Sequence, residues 1–173
     1  MQTAQKTTPK IYVACLAAYN NGFLHGQWIN ANQEAEAIHA EIKDMLAQSP
    51  VGGAEEWAIH DYEGFYGLRL SESQDIPTVS EMAKMIQEHG PAWCAYAEYV
   101  GLEYATKEGF EEAYCGEWDS EENFAEELAW DTMEIPKHLE SYIDFGKFAR
   151  DLFINDYFSA EAEDYKVYVF RRL

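Results

Sequence analysis

Residues 120–134, SEENFAEELAWDTME, are the most informative stretch of this chain, because one helical pattern organises both its apolar and its acidic residues. At about 100° per residue, Phe124, Leu128 and Ala129 fall on one face of a helix. The acidic side chains fall on the other side, and Trp130 points almost directly away from the apolar face. The stretch therefore predicts an amphipathic helix that packs on a core through one side and carries an isolated tryptophan elsewhere.

The acidic side of this helix has two interpretations. Carboxylates on a helix usually form a solvated surface. Here, however, almost no lysine stands four residues away to offset their repulsion, and the neighbouring segments are acidic too. Trp130 also has two interpretations. Either another part of the chain covers it, or it contacts a second protein, since exposed tryptophan is enriched at interfaces.

Charge extends this pattern to the whole chain. Twelve Lys and Arg stand against 32 Asp and Glu, a net charge of −20 over 173 residues. Residues 1–54 carry three bases and four acids, whereas residues 98–134 carry 13 acids and only Lys107. Such a field disfavours direct binding to DNA or to an anionic membrane and favours a cationic partner. A general adaptation to salt would acidify residues 1–54 as well, so the gradient argues against it.

The remaining sequence alternates between strand and helix patterns. Residues 11–16 (IYVACL) predict a strand, 19–22 (YNNG) a turn, and 23–29 a returning strand. Residues 33–48 predict a helix capped by Asn32, and 56–62 a third strand. Residues 1–10 have the composition of a polar tail.

From about residue 73 the pattern becomes helical. Thr78 and Glu81 fit a capping box, and Gly90 followed by Pro91 ends one helix and opens another. Further helices are expected at 106–115, 120–134 and from Pro136 to Phe153, with a final strand over 165–170. The fold class is therefore α+β, as three small domains: 1–72 with a small sheet and a helix, 73–108 helical, and 109–173 α+β.

Motifs for catalysis or metal binding are missing from the sequence. The three cysteines are isolated, and no spacing of Cys and His suggests zinc. His60 and Asp61 are adjacent, but neighbouring residues of a regular strand face opposite sides and would not form a dyad. Neither a signal-peptide stretch nor a run of about 20 apolar residues occurs. We expect a cytoplasmic protein that is not an enzyme and needs no cofactor or metal.

The blocks YV at 12–13, YNNG at 19–22, GQW at 26–28, EEWAIHDYEG at 55–64 and YIDFGKFARDLF at 142–153 together resemble the ArdA-type antirestriction proteins. The resemblance covers nearly the whole chain from residue 11. It implies an elongated, curved dimer of three-domain chains that mimics DNA. Such a protein inhibits type I restriction–modification enzymes by occupying the DNA-binding groove of the methyltransferase core. The family's acidic antirestriction motif has its nearest match at residues 126–134.

We expect the mimicry to rest on distributed charge, so that no single Glu→Gln change abolishes it. The alternative is an acidic adaptor for another basic protein. The dense part of the predicted surface comprises Glu108, Glu111, Glu112, Glu117, Asp119, Glu122, Glu126, Glu127, Asp131 and Glu134. Four further acids extend it toward the N-terminal domain: Glu55, Glu56, Asp61 and Glu63.

Overall fold

The computed structural model describes residues 7–173 and has the mixed α+β fold that the sequence predicts. The chain divides into two compact units, Met1–Cys94 and Ala95–Leu173. The domain boundaries near residues 72 and 108 stay a prediction. Of the predicted polar tail, residues 1–6 lie outside the described part of the chain, and Lys10 already begins the first strand.

The first unit is a three-stranded sheet with helices. Its elements are β1 (Lys10–Cys15), α1 (Leu16–Asn20), β2 (Gly26–Asn30), α2 (Ala35–Ala47), β3 (Trp57–Glu63) and α3 (Ile76–His89). β1 is the central strand and pairs antiparallel with both β2 and β3. Over the first four residues of β1, half-buried Lys10 and Tyr12 alternate with buried Ile11 and Val13, and the last two residues of the strand are both buried. Ile11 and Val13 lie opposite Ile29 and Ile59, which are buried as well. This period of two fits a sheet with one face in the core.

Two predicted helix caps are wrong. α2 begins at Ala35 after Glu34, which makes no side-chain capping bond, and the backbone N–H of Asn32 instead donates to Asn30 Oδ1. α3 begins at Ile76, so Thr78 lies inside the helix rather than at its cap. The capping acceptor is Asp75, whose Oδ1 accepts from the Thr78 backbone N–H at 2.9 Å. Asp75, with Pro77 in the first turn, is a local helix-start signal that the capping-box pattern at Thr78 overlooked.

The second unit is built around another three-stranded sheet. α4 (Pro91–Val100) begins in the first unit and ends in the second. There follow α5 (Lys107–Ala113), β4 (Tyr114–Trp118), α6 (Glu121–Thr132), a 3-10 helix (Lys137–Tyr142), α7 (Phe145–Asn155), β5 (Tyr157–Glu161) and β6 (Val167–Arg171). The strand order is β4-β6-β5, with antiparallel pairing throughout.

Both faces of this second sheet are covered. On one face Phe158 and Phe170 stack with ring centroids 4.9 Å apart, and Tyr96 packs 5.7 Å from Phe170. On the other face Tyr157 and Val169 pack against Phe124 of α6. The sheet thus serves as the support on which the acidic helix is mounted.

Sequence patterns misplace several elements of this unit. β4 lies where the helix over 106–115 was expected to end and the next helix to begin, and β5 was not predicted at all. β4 is short, contains Gly116 at φ 100°, and pairs with β6 through an irregular register. The helix expected from Pro136 to Phe153 is two helices, because Asp144 Oδ1 accepts from the Lys147 backbone N–H and caps α7.

Gly26 is required by close packing of the first sheet. A methyl group at this position would lie 2.6 Å from the Val13 carbonyl oxygen and 2.7 Å from the Tyr12 ring. We predict that Gly26→Ala lowers the free energy of unfolding by about 1–3 kcal/mol, the usual cost of overpacking. Gly52→Ala is the control, since nothing lies within 4 Å of its Cβ. Urea unfolding measures both, and equal stability of the two variants would contradict the argument.

Asp75 makes the stability of the first unit pH-dependent. The hydrogen bond from the Thr78 backbone N–H lowers the pKa of the Asp75 carboxyl below its usual value. A lowered folded-state pKa stabilises the fold above the unfolded pKa of about 4, and this contribution is lost as pH falls through the folded value. We predict that Asp75→Ala costs about 1 kcal/mol at pH 7 and progressively less below about pH 4. Asp44→Ala is the control, because Asp44 lies near the carboxyl end of α2, where a negative charge gains nothing from the helix dipole. Its urea melts at the same pH values should show no loss of stability.

Candidate partner-binding surface

The fourteen acids predicted to form the surface all lie on the outside of the protein. All are exposed except Glu126, which is half-buried. Those of the second unit are carried by α5, β4, α6 and the segments beside them. That unit holds 20 acids and 7 bases, a balance of −13, against −7 in the first unit. The acidic character thus concentrates on the second unit.

α6 has the orientation that its apolar pattern predicts. Phe124, Ala125 and Ala129 are buried, while Glu127 and Asp131 are exposed. The helix begins after Ser120, whose Oγ accepts from the Asn123 backbone N–H at 3.0 Å. It ends at Thr132, two residues earlier than expected, because Met133 has extended backbone angles. Glu134 therefore lies beyond the helix.

Trp130 is neither core nor fully exposed. Its side chain is 39 % exposed and packs on Phe145 of α7 with ring centroids 5.8 Å apart. Its indole N–H points at Glu126 Oε1, 3.4 Å away. The aromatic ring is thus held in place from one side and leaves the other side open to a partner.

Four of the predicted acids surround one open concavity of about 500 Å³. It is lined by Glu117, Trp118, Asp119, Asn123, Glu126, Glu127 and Trp130. Glu122, Asp131, Glu134 and the acids of α5 do not line it. Trp118 and Asn123 were not selected from the sequence. Trp118 reaches this position through β4, a strand whose partner is about 50 residues away, so no local pattern could have indicated it.

Most of the acids on α6 lack a positively charged neighbour. Within residues 7–173, Glu122, Glu127 and Asp131 have no cation at ion-pair distance. Two predicted acids of this unit outside α6 are paired: Glu117 with Lys166 at 3.2 Å, and Glu111 with Lys107 at 3.8 Å. α6 therefore presents uncompensated negative charge, whereas β4 and α5 are partly neutralised.

α5 carries its three predicted acids on a helix fixed by aromatic packing. Thr106 caps it by accepting from the Gly109 backbone N–H at 3.0 Å, and Phe110 is buried against the second sheet. Nearby carboxylates also affect the pKa values of two tyrosines, the buried Tyr96 and the half-buried Tyr114. Burial raises the pKa of Tyr96, and the carboxylate of Glu112 raises it further. Burial and then Glu117 act in the same direction on the pKa of Tyr114.

The four predicted acids of the first unit lie just before β3 or on it. Glu55 and Glu56 precede β3, and Asp61 lies opposite Tyr12 on the solvent side. Glu63 pairs with Lys10 at 2.9 Å, which reduces its contribution to the negative field.

His60 and Asp61 do not face opposite sides as a regular strand would place them. Val13 pairs with Ile59 and Tyr12 with Asp61, so the register shift leaves His60 as the extra residue of a β-bulge, and both His60 and Asp61 are exposed. The His60 ring packs edge-on against Tyr19 with centroids 5.0 Å apart. Asp61 Oδ1 accepts from the Tyr62 backbone N–H. Each side chain is thus engaged by a structural neighbour.

Two cysteines of the chain have unreactive surroundings. Burial raises the pKa of the Cys94 thiol to about 12 and that of Cys115 in the same direction. A nucleophilic thiol needs the opposite shift, toward the thiolate. Within residues 7–173, moreover, no helix is long and apolar enough to cross a bilayer.

The chain matches a known family over most of its length. Residues 11–167 match the family described as antirestriction protein (ArdA), which leaves only the two ends of the chain outside the match. A comparison with curated proteins found no match. The match covers the first sheet from residue 11, β4, β5 and both helices that carry predicted acids, and it ends at the first residue of β6. The chain belongs to the ArdA family of antirestriction proteins.

Proposed function

We propose that this protein inhibits type I restriction–modification enzymes as a DNA mimic, by occupying the DNA-binding groove of the methyltransferase core. The observation that carries the proposal is the uncompensated acidic face of α6 in a chain of the antirestriction family. The action is stoichiometric binding in the cytoplasm rather than catalysis, and it requires no cofactor. The acting species is a homodimer.

The charge of the chain suits this role. Since duplex DNA carries about one charge per 1.7 Å of its axis, twenty net charges correspond to roughly 34 Å of duplex. A protein that binds DNA through Lys and Arg releases counterions from the phosphates. Exposed carboxylates such as Glu127 and Asp131 can engage the same basic side chains.

Binding would proceed in two stages. Long-range attraction between the acidic surface and the basic groove speeds encounter, and salt screens it over about 10 Å. Exposed ion pairs add little affinity individually, so packing at the contact must supply more. Trp130 is suited to that second stage because its ring is anchored on Phe145 and still partly open.

A competition assay tests the mechanism. A type I methyltransferase is held with a labelled duplex carrying its recognition site, and the purified protein is titrated in at moderate salt. We expect displacement at stoichiometric amounts, independent of added magnesium. Absence of displacement at large excess would reject this target and favour the adaptor hypothesis.

The same assay tests whether charge on α6 matters more than total charge. The triple variant Glu126→Gln, Glu127→Gln, Asp131→Asn should bind at least tenfold more weakly, whereas each single change has a small effect. The control is Glu161→Gln, Glu163→Gln, Asp164→Asn, which removes three exposed charges beside the β5–β6 connection. Equal losses in the two triple variants would show that only net charge counts.

Trp130→Ala should weaken partner binding about tenfold, the size of a moderate interface hot spot. The variant should lose less in folding, because the ring is partly exposed already. Phe23→Ala is the control, since Phe23 is also an exposed aromatic residue, at 53 %, but lies in the connection before β2. Affinity and urea unfolding are measured for both variants. A loss of stability without a loss of affinity would assign Trp130 to packing alone.

A further inference from the structure

Glu121, the first acid of α6, differs from those that follow. It is half-buried and hydrogen-bonded inside the unit, whereas Glu122, Glu127 and Asp131 are exposed. We infer that Glu121 is a positioning residue that fixes α6 on the second unit, and that the exposed acids Glu127 and Asp131 form its partner-contacting face. This assignment rests on the proposed function. It divides α6 into an attachment part, Glu121, which holds the helix on the second unit, and a recognition part, Glu127 and Asp131, which contacts the partner.

Glu121 is bound to the sheet beneath the helix. Its Oε1 accepts a hydrogen bond from Ser159 Oγ at 2.6 Å, in a partly buried position. Ser159 belongs to β5 and pairs with Val169 of β6, on the face that packs against α6. A short hydroxyl–carboxylate bond is among the stronger hydrogen bonds in proteins. The carboxylate of Glu121 is therefore used inside the unit, and its orientation is set by the strand.

Glu122 is directed at the start of α7. A methyl group built on Gly146 would lie 3.3 Å from Glu122 Oε2 and 3.4 Å from Asp144 Oδ1. The carboxylate of Glu122 thus lies near the second residue of α7, beside the carboxylate of Asp144. The amino-terminal end of a helix attracts negative charge through its dipole and free N–H groups. Asp144 already caps this end of α7 and Glu122 is exposed, so Glu122 stays among the acids predicted to contact a partner.

Aromatic contacts also hold α6 on the second unit. Phe124 packs edge-on against Tyr157 with centroids 4.9 Å apart, and Trp130 near the other end of α6 packs on Phe145. The helix is therefore fixed along its length on β5 and α7. Glu127 and Asp131 project away from these contacts and carry no intramolecular ion pair within residues 7–173.

The test uses substitutions that separate charge from hydrogen bonding. Glu121→Gln keeps an oxygen acceptor for Ser159 but removes the charge, and Glu121→Ala removes both. We expect Glu121→Gln to stay within about twofold of the wild-type affinity for the methyltransferase, and Glu121→Ala to fall about fivefold. Glu127→Gln, an isosteric change on the recognition part, should flatten the salt dependence of binding, whereas Glu121→Gln should not. If Glu121→Gln flattened it equally, Glu121 would be a contact residue and the inference would be wrong.

A measurement without the partner keeps this inference separate from the proposed function. Amide hydrogen exchange of residues 125–130 reports how firmly α6 is held. Glu121→Ala and Ser159→Ala should each speed this exchange roughly tenfold, as expected for loss of a hydrogen bond to a charged group. The double variant should exchange no faster than either single one, and Glu127→Ala should exchange like wild type. Unchanged exchange in Glu121→Ala would overturn the positioning role whether or not the methyltransferase binds.

Discussion

Phe124 and its contacts with Tyr157 and Val169 are the constraint on which the acidic surface depends. α6 contains five Glu and Asp and no Lys or Arg, so it gains nothing from the (i, i+4) ion pairs that support most exposed helices. Isolated helices of this length are marginal even without such repulsion. Burial of the apolar face on the second sheet must therefore hold the carboxylates in place.

This division between an apolar packed face and a charged exposed face explains how α6 can fold although its carboxylates repel one another. Phe124 is almost fully buried, whereas the carboxylates three and seven residues later are exposed. Aromatic side chains pack on both faces of the second sheet and make it a rigid base for α6. A flexible acidic segment would attract the same cations, but it would lose conformational entropy on binding. Carboxylates on a helix that is already packed lose less conformational entropy when they bind.

The sequence-based description was accurate where a single element carried its own periodic signal. The strand over 11–16, the helices ending near Gln48 and Gly90, and the apolar face of α6 all follow from local spacing of apolar residues. It was wrong where tertiary contacts decided the outcome. β4 and β5 exist because β6 lies between them. The cap of α3 was instead misread from a local signal, since Asp75 directly precedes the helix and Pro77 lies in its first turn. A five-residue strand with a glycine in the left-handed region has no periodicity to detect.

The sequence by itself determined the α+β class, the concentration of charge in residues 98–134 and, through its ordered blocks, the antirestriction family. These properties depend on composition and on spacing within one element, which the chain carries whatever its tertiary structure. Only the tertiary structure decided what each acid does. It placed Glu121 against Ser159 and Glu117 beside Lys166, and within residues 7–173 it left Glu127 and Asp131 without a cation at ion-pair distance. The physical reason is that a carboxylate's role depends on which groups lie within a few ångströms, and those groups come from distant parts of the chain.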